Sequence, residues 1–237
     1  MRLLLTSWVT LVPPRSFVLQ LLWVGIWLGM VIGTAEGLRR LMPNDPEITR
    51  KVVHIGTGNV ILLAWWLDIP TELGVAASIL FSGVTLLSNR YPILASVSGV
   101  GRKSLGTFFY AVSIGLLIAW FWPLDLPQYA AIGILTMTWG DGLAALIGQR
   151  FGRHPYQVLG MQKSWEGSLA MAGVSFMIIY GVLYFVQGNI GATGWSAIAV
   201  SLIVATLEAF STLGIDNLTV PIAAAALCFA LNEIWLV

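Results

Sequence analysis

The sequence predicts an all-α, polytopic transmembrane helical bundle of about eight spans. Three observations carry that reading. Of 237 residues, 57% are hydrophobic and only 10% charged, whereas soluble domains carry about 25% charged residues; mean hydropathy is +0.84. Apolar runs near the length of about 20 residues needed to cross a bilayer follow one another from residue 17 onward. Finally, ten of the twelve Lys and Arg fall in alternate loops, and so share one side.

Taken in order, Met1 to Val12 has the look of a short signal h-region, but Pro13-Pro14 stands where a small-residue cleavage site belongs. Residues 1–16 are therefore expected to form an interfacial or partly inserted segment. The spans follow at 17–38, 52–67, 70–88, 104–122, 127–149, 165–186, 194–212 and 217–236. Leu169 to Leu207 carries no charge and is too long for one span, and Gly188-Asn189-Ile190-Gly191 divides it. The second span is short and starts among charges, so seven and nine are the neighbouring counts. No soluble domain and no internal repeat is visible, which makes 1–237 a single membrane domain.

Orientation follows from the cations. Arg39, Arg40, Arg50, Lys51, Arg90, Arg102, Lys103, Arg150, Arg153 and Lys163 lie on one side, which is expected to be cytoplasmic; Arg2 and Arg15 lie on the other. Trp23, Trp27, Trp65, Trp66, Trp120, Trp122, Trp195 and Trp235 cluster near the opposite ends, as an interfacial belt would. Asp68, Glu72, Asp125 and Glu233 fall on the outer side, while Glu36, Asp45, Glu47, Asp141, Glu166, Glu208 and Asp216 fall toward the basic face.

Some function classes drop out. A net charge of +1 with no basic, aromatic-interleaved patch gives no footing for nucleic acid. The single Cys228 excludes a disulfide framework or a cysteine metal site. Paired broken helices in repeated halves, common in transporters, are missing.

The chain is organised around Trp139 to Ser168. Asp141 stands at or near membrane depth, and ionisable groups there mark functional sites more often than structural ones. Gly140, Ala144, Gly148 and Gly152 recur every four residues, a stripe that also lets helices approach closely. Lys163 and Glu166 are three apart, so on a helical turn they are neighbours and an ion pair is the plain alternative. Ser164 can cap that turn and aim free amides, Gly167 included, at an anion. Asp141 paired with a loop arginine would be the corresponding structural reading.

Three further stretches can carry chemistry. Arg50, Lys51 and His54 share one face at the start of span two and oppose the helix dipole. Glu36, Glu47, lipid headgroups or a bound phosphate must compensate them. Arg102 and Lys103 follow a loop with Gly99 and Gly101 that suits an anion or a snorkelling flank; no Walker spacing occurs in the chain. Glu208 stands about a turn inside the membrane, where a lone carboxylate is costly, and Asp216-Asn217 either caps the last helix or joins it. Four carboxylates at one end of the bundle, beside a basic anion site, suit Mg²⁺ and a phosphate-bearing substrate.

R-K-x-x-H-x-G at 50–56, G-D-x-x-A-x-x-x-G at 140–148, K-S-x-E-G-S at 163–168 and E-x-F-S-x-x-x-x-D-N-x-x-x-P at 208–221 resemble the polyprenol kinase family. That family includes dolichol kinases and the shorter phytol and farnesol kinases. The resemblance covers about 50–221; its order and spacing are more specific than any one motif. It implies transfer of a phosphoryl group from a nucleoside triphosphate, usually CTP, to the hydroxyl of an isoprenoid alcohol, with Mg²⁺ or another divalent cation. CDP-diacylglycerol synthases are similar in two of the segments, but they end in a signature rich in Lys, Asp and His-Gly-Gly. This chain ends in Asp216-Asn217 and Pro221 with no histidine after His154.

The resemblance thus points to a kinase of a membrane isoprenoid alcohol, such as phytol, farnesol or a polyprenol, in an inner, plasma or thylakoid-type membrane. Candidate catalytic residues are Asp141, Glu166, Lys163 and His54. Arg50, Lys51, Arg102, Lys103, Lys163, Ser164 and Gly167 are candidates for nucleotide phosphates, and Asp141, Glu166, Glu208, Asp216 and Asn217 for the metal. The alternatives are a cytidylyltransferase that makes a CDP-lipid and a non-catalytic lipid transporter. Membrane lipid surrounds the bundle, and a homo-oligomer is compatible with it.

Overall fold

The computed structural model describes residues 16–43, 45–88, 105–188 and 190–236. The expected interfacial segment, apart from Ser16, and the loop with Arg90, Arg102 and Lys103 lie outside the described residues.

Helix α1 (Phe17–Leu41) starts at Ser16, whose hydroxyl accepts from the Leu19 amide. Helix α2 (Pro46–Gly58) starts on Asp45 and has a proline in its first turn; that ring is tolerated where no intrahelical N–H is needed. Gly56, Gly58 and Asn59 are poor helix formers, and the chain breaks at Asn59 before α3 (Val60–Trp66). The expected continuous span over 52–67 is therefore two short helices. Next come α4 (Thr71–Ser88) and α5 (Gly106–Phe121).

The central element is one continuous helix, Pro127–Phe151, made of α6 (Pro127–Leu135), a π turn (Thr136–Asp141) and α7 (Gly142–Phe151). In its most apolar window 67% of residues are buried, against 11% in α1 and α4, so it is the axis about which the other helices pack. It contacts α2, α3 and α5, together with α8 (Trp165–Gln187) and α10 (Asp216–Leu236), while α9 (Ile190–Ala209) packs between α8 and α10. Leu117, Phe121, Tyr129, Ile132, Ile134, Met137, Met171, Ile179, Leu183, Val200 and Val204 fill the core.

Between α7 and α8 the chain forms a hairpin, β1 (Pro155–Val158) and β2 (Met161–Ser164), paired antiparallel. Leu159 and Gly160 turn it at φ 49° and 79°, the double positive φ that matches strand twist in a two-residue hairpin. The fold is thus nearly all-helical, and residues 163 and 164, expected to open a helical turn, are strand instead.

The small-residue stripe is used for packing. A β-carbon on Gly167 would lie 3.4 Å from the Gly148 α-carbon and 3.0 Å from the Ala144 carbonyl, so α7 and α8 meet at backbone contact, as small residues allow in membranes.

Among the described residues four helices are long and apolar enough to cross a membrane: Phe17–Leu41, Thr71–Ser88, Pro127–Phe151 and Trp165–Gln187. Gly106–Phe121, Thr193–Ala209 and Asp216–Asn232 are apolar but shorter. Helix length alone does not yield the expected count of eight.

Candidate active site

Three carboxylates from three elements converge. Asp141 closes the π turn, Glu208 ends α9 and Asp216 begins α10, and one oxygen from each lies within 4.8 Å of the others. Local structure explains each placement. The π turn adds one residue to the helical turn that ends in Asp141, a bulge frequent at functional sites. The α9–α10 connection reverses through Leu213 and Gly214, at φ 57° and 84°, and the Asp216 amide donates to Ser211 Oγ at 2.7 Å. Asn217 turns its side-chain nitrogen back to Gly214 O and to Asp216 Oδ1, at 3.2 and 3.3 Å.

Two lysines meet these acids. Lys51 Nζ, on α2, lies 2.6 Å from Asp141 Oδ2 and 3.3 Å from the Asp141 carbonyl. Its side chain is 4% exposed, so the ammonium is held by that pairing and not by water. Lys163 Nζ, on β2, lies 2.6 Å from Glu208 Oε1 and also donates to the Glu208 carbonyl. Three carboxylates against two ammonium groups give the cluster a formal charge of one negative. His54 Nε2 stands 3.7 Å from Asp141 Oδ2 and 3.5 Å from the Met137 carbonyl.

Arg50 is held by Glu47 at 2.5 Å. Burial alone would lower its guanidinium, but Glu47, and after it the charges of Asp141 and Asp216, outweigh burial and hold it above its ordinary value. Glu36 pairs with Arg39 and Arg40 instead, at 2.8 and 3.0 Å.

The second acid of the central stretch lies elsewhere. Glu166 Oε1 is 2.7 Å from His154 Nδ1, and its Oε2 accepts from the His154 amide at 3.3 Å. Glu166 thereby ties the base of the hairpin to the first turn of α8, apart from the three converging carboxylates. The expected Lys163–Glu166 neighbourhood is corrected on the same ground: one residue is on a strand and the other on the helix after it. Ser164 caps α8, accepting from the Gly167 amide at 3.2 Å, while the Trp165 amide donates to the His154 carbonyl. Those two amides are occupied within the chain and are not free for an anion.

This chain is 50% identical over 220 residues to a phytol kinase of Synechocystis sp., covering 91% of this chain and 94% of that relative. The chain belongs to the polyprenol kinase family. Within it, the short phytol kinase type fits the matching lengths. Identity is 33% over 199 residues to a probable chloroplastic phytol kinase 2 of rice, covering 75% of this chain and 64% of the relative. A chloroplastic farnesol kinase of Arabidopsis thaliana is 29% identical over 208 residues, covering 79% and 66%. No family profile and no solved structure matches the chain.

In this polyprenol kinase the fold brings together Lys51, His54, Asp141, Lys163, Glu208 and Asp216 from all four sequence motifs, with Arg50 and Asn217 at the margin. Sequence reasoning missed His154 and Tyr110. His154 had no signal short of recognising the Leu159-Gly160 hairpin turn, which puts it opposite Glu166. The ring of Tyr110 packs against His54 with centroids 4.4 Å apart, yet in sequence it is one aromatic among many in an apolar run.

Proposed function

We propose that this chain transfers the γ-phosphoryl group of a nucleoside triphosphate, CTP, to the hydroxyl of a membrane isoprenoid alcohol such as phytol, farnesol or a polyprenol. The observation that supports this most is the convergence of Asp141, Glu208 and Asp216 with Lys51 and Lys163 at one end of an apolar bundle. Such an array suits a reaction that is mostly positioning and charge neutralisation. The names of the phytol and farnesol kinase relatives agree on the alcohol class.

The three carboxylates supply hard oxygen donors with no thiol among them, a set that fits Mg²⁺ or a similar divalent cation. When bound, the cation neutralises charge on the phosphate oxygens. Lys51 and Lys163 keep Asp141 and Glu208 in register and bring positive charge to the triphosphate, with Arg50, Arg102 and Lys103 as further cations toward it. His54 contacts a phosphate oxygen or the alcohol hydroxyl. The alcohol oxygen forms a bond to the γ-phosphorus, the bond from that phosphorus to the β-phosphate oxygen breaks, and the hydroxyl proton passes to a carboxylate of the cluster or to solvent.

The isoprenoid tail lies among the apolar helices. Eight spans carry the site to the cytoplasmic face of a plasma, inner or thylakoid-type membrane, consistent with the side that gathers ten of twelve Lys and Arg.

The test is incubation of the purified chain with a panel of isoprenoid alcohols and CTP or ATP labelled at the α- or γ-phosphate. Label from the γ-position in the prenyl phosphate is expected. Label from the α-position would indicate a cytidylyltransferase, and no label in any lipid would end the kinase reading.

A further inference from the structure

We infer that Tyr110 is a positioning residue that sets His54 against Asp141, an inference that rests on the kinase reading only for the catalytic use of His54. Tyr110 lies on α5, is 4% exposed, and packs its ring against the imidazole of His54, tilted by 30° with centroids 4.4 Å apart. Its hydroxyl meets Thr138 Oγ1, inside the π turn that ends in Asp141. The direction of that bond follows from Thr138, whose single proton goes to the Ile134 carbonyl at 2.5 Å. The Thr138 oxygen is thereby left as acceptor, and Tyr110 donates.

The same tyrosine therefore touches both halves of the site: the α2 helix that carries His54 and Lys51, and the π turn that carries Asp141. Space for it is made on α2 itself. Gly58 is one helical turn beyond His54, on the same face, and a β-carbon there would overlap both the Tyr110 hydroxyl and Thr138 Oγ1. A buried phenol needs some hydrogen-bond partner, and many carbonyls would serve. Here the partner is the turn that carries Asp141, and the ring packs against the imidazole. His54 Nε2 lies 3.5 Å from the Met137 carbonyl and 3.7 Å from Asp141 Oδ2, so the ring packing of Tyr110 decides which of the two it approaches.

Two variants of the full chain in detergent test this. Tyr110→Phe keeps the ring and removes the donor; Thr138→Val removes the acceptor, and if it fails to fold Tyr110→Phe decides alone. Each is expected to lower kcat about ten- to hundredfold, the usual effect of losing an orienting partner, with KM for CTP unchanged. In a His54→Ala background Tyr110→Phe is expected to add no further loss, since the two act as one unit. A second readout needs no turnover. The chain has two histidines, so His154→Gln assigns their imidazole NMR signals, and Tyr110→Phe is expected to shift and broaden those of His54. An unchanged His54 spectrum, or an undiminished loss of kcat on top of His54→Ala, overturns the inference. If the wild-type chain phosphorylates no alcohol, the kinase reading fails while the His54 spectrum still decides the positioning.

Discussion

Lys163 on the hairpin reaches Glu208 at the end of α9, 45 residues away in sequence, and its ammonium lies 2.6 Å from the carboxylate. The side chains are 18% and 12% exposed. Removing one partner leaves a mostly desolvated charge, whereas removing both can be nearly neutral. Lys163→Met is expected to destabilise the chain by about 1–3 kcal/mol, read as a lower unfolding temperature in detergent. Adding Glu208→Gln is expected to restore the stability and not the phosphoryl transfer. A double variant that regains turnover would reduce the pair to a structural tie.

Glu166 holds the hairpin base through His154. Glu166→Gln is accordingly expected to leave Mg²⁺ dependence unchanged and to speed hydrogen exchange in the amides of residues 155–164. A rise in the Mg²⁺ requirement with no change in exchange would return Glu166 to the metal.

How much of this was legible in sequence depends on which physical rule each residue obeys. Asp141, Glu208 and Asp216 were visible because an acid at the end of an apolar run stands out at any register. Lys51 and His54 were visible as one helical face, three residues apart. The partner of Lys163 was not, because the three-residue rule assumes a helix and the chain there is a strand. The hairpin itself was hidden because four-residue strands carry too short an alternation to compete with the helical runs on either side. The π turn leaves no trace in composition, being a change of hydrogen-bond register. Span two is interrupted at Asn59, where Gly56 and Gly58 weaken the helix in a run that hydropathy reads as continuous.

Topology makes a separate prediction. Arg153, after α7, and Asp125, before α6, are both exposed and flank opposite ends of the central helix. Cys228 is buried, and Cys228→Ser gives a background without thiols. Single cysteines at 153 and 125 are expected to react with an impermeant maleimide from opposite faces of sealed vesicles, 153 from the cytoplasmic one. Labelling of both from one face would overturn the orientation read from the cations.

The three carboxylates make the last prediction, one that separates metal binding from turnover. Mn²⁺ prefers the same oxygen donors as Mg²⁺ and its EPR signal is lost on binding, so its affinity can be read without any substrate. Each of Asp141→Asn, Glu208→Gln and Asp216→Asn keeps size and hydrogen-bonding capacity while removing a charge. Because the cluster carries three acids against two lysines, each substitution takes away its formal excess of negative charge and replaces an anionic oxygen donor by a neutral amide carbonyl. All three variants are expected to bind Mn²⁺ at least about tenfold more weakly, the lower end of what perturbing a metal's ligand environment does, and EDTA is expected to abolish phosphoryl transfer by the wild-type chain. Asp141→Asn also leaves Lys51, 4% exposed, without its counter-charge. It should therefore lower the unfolding temperature more than Asp216→Asn, whose carboxylate has no ammonium bonded to it among the described contacts. Wild-type Mn²⁺ affinity in all three variants would mean that the acids meet to neutralise lysines and not to hold a cation.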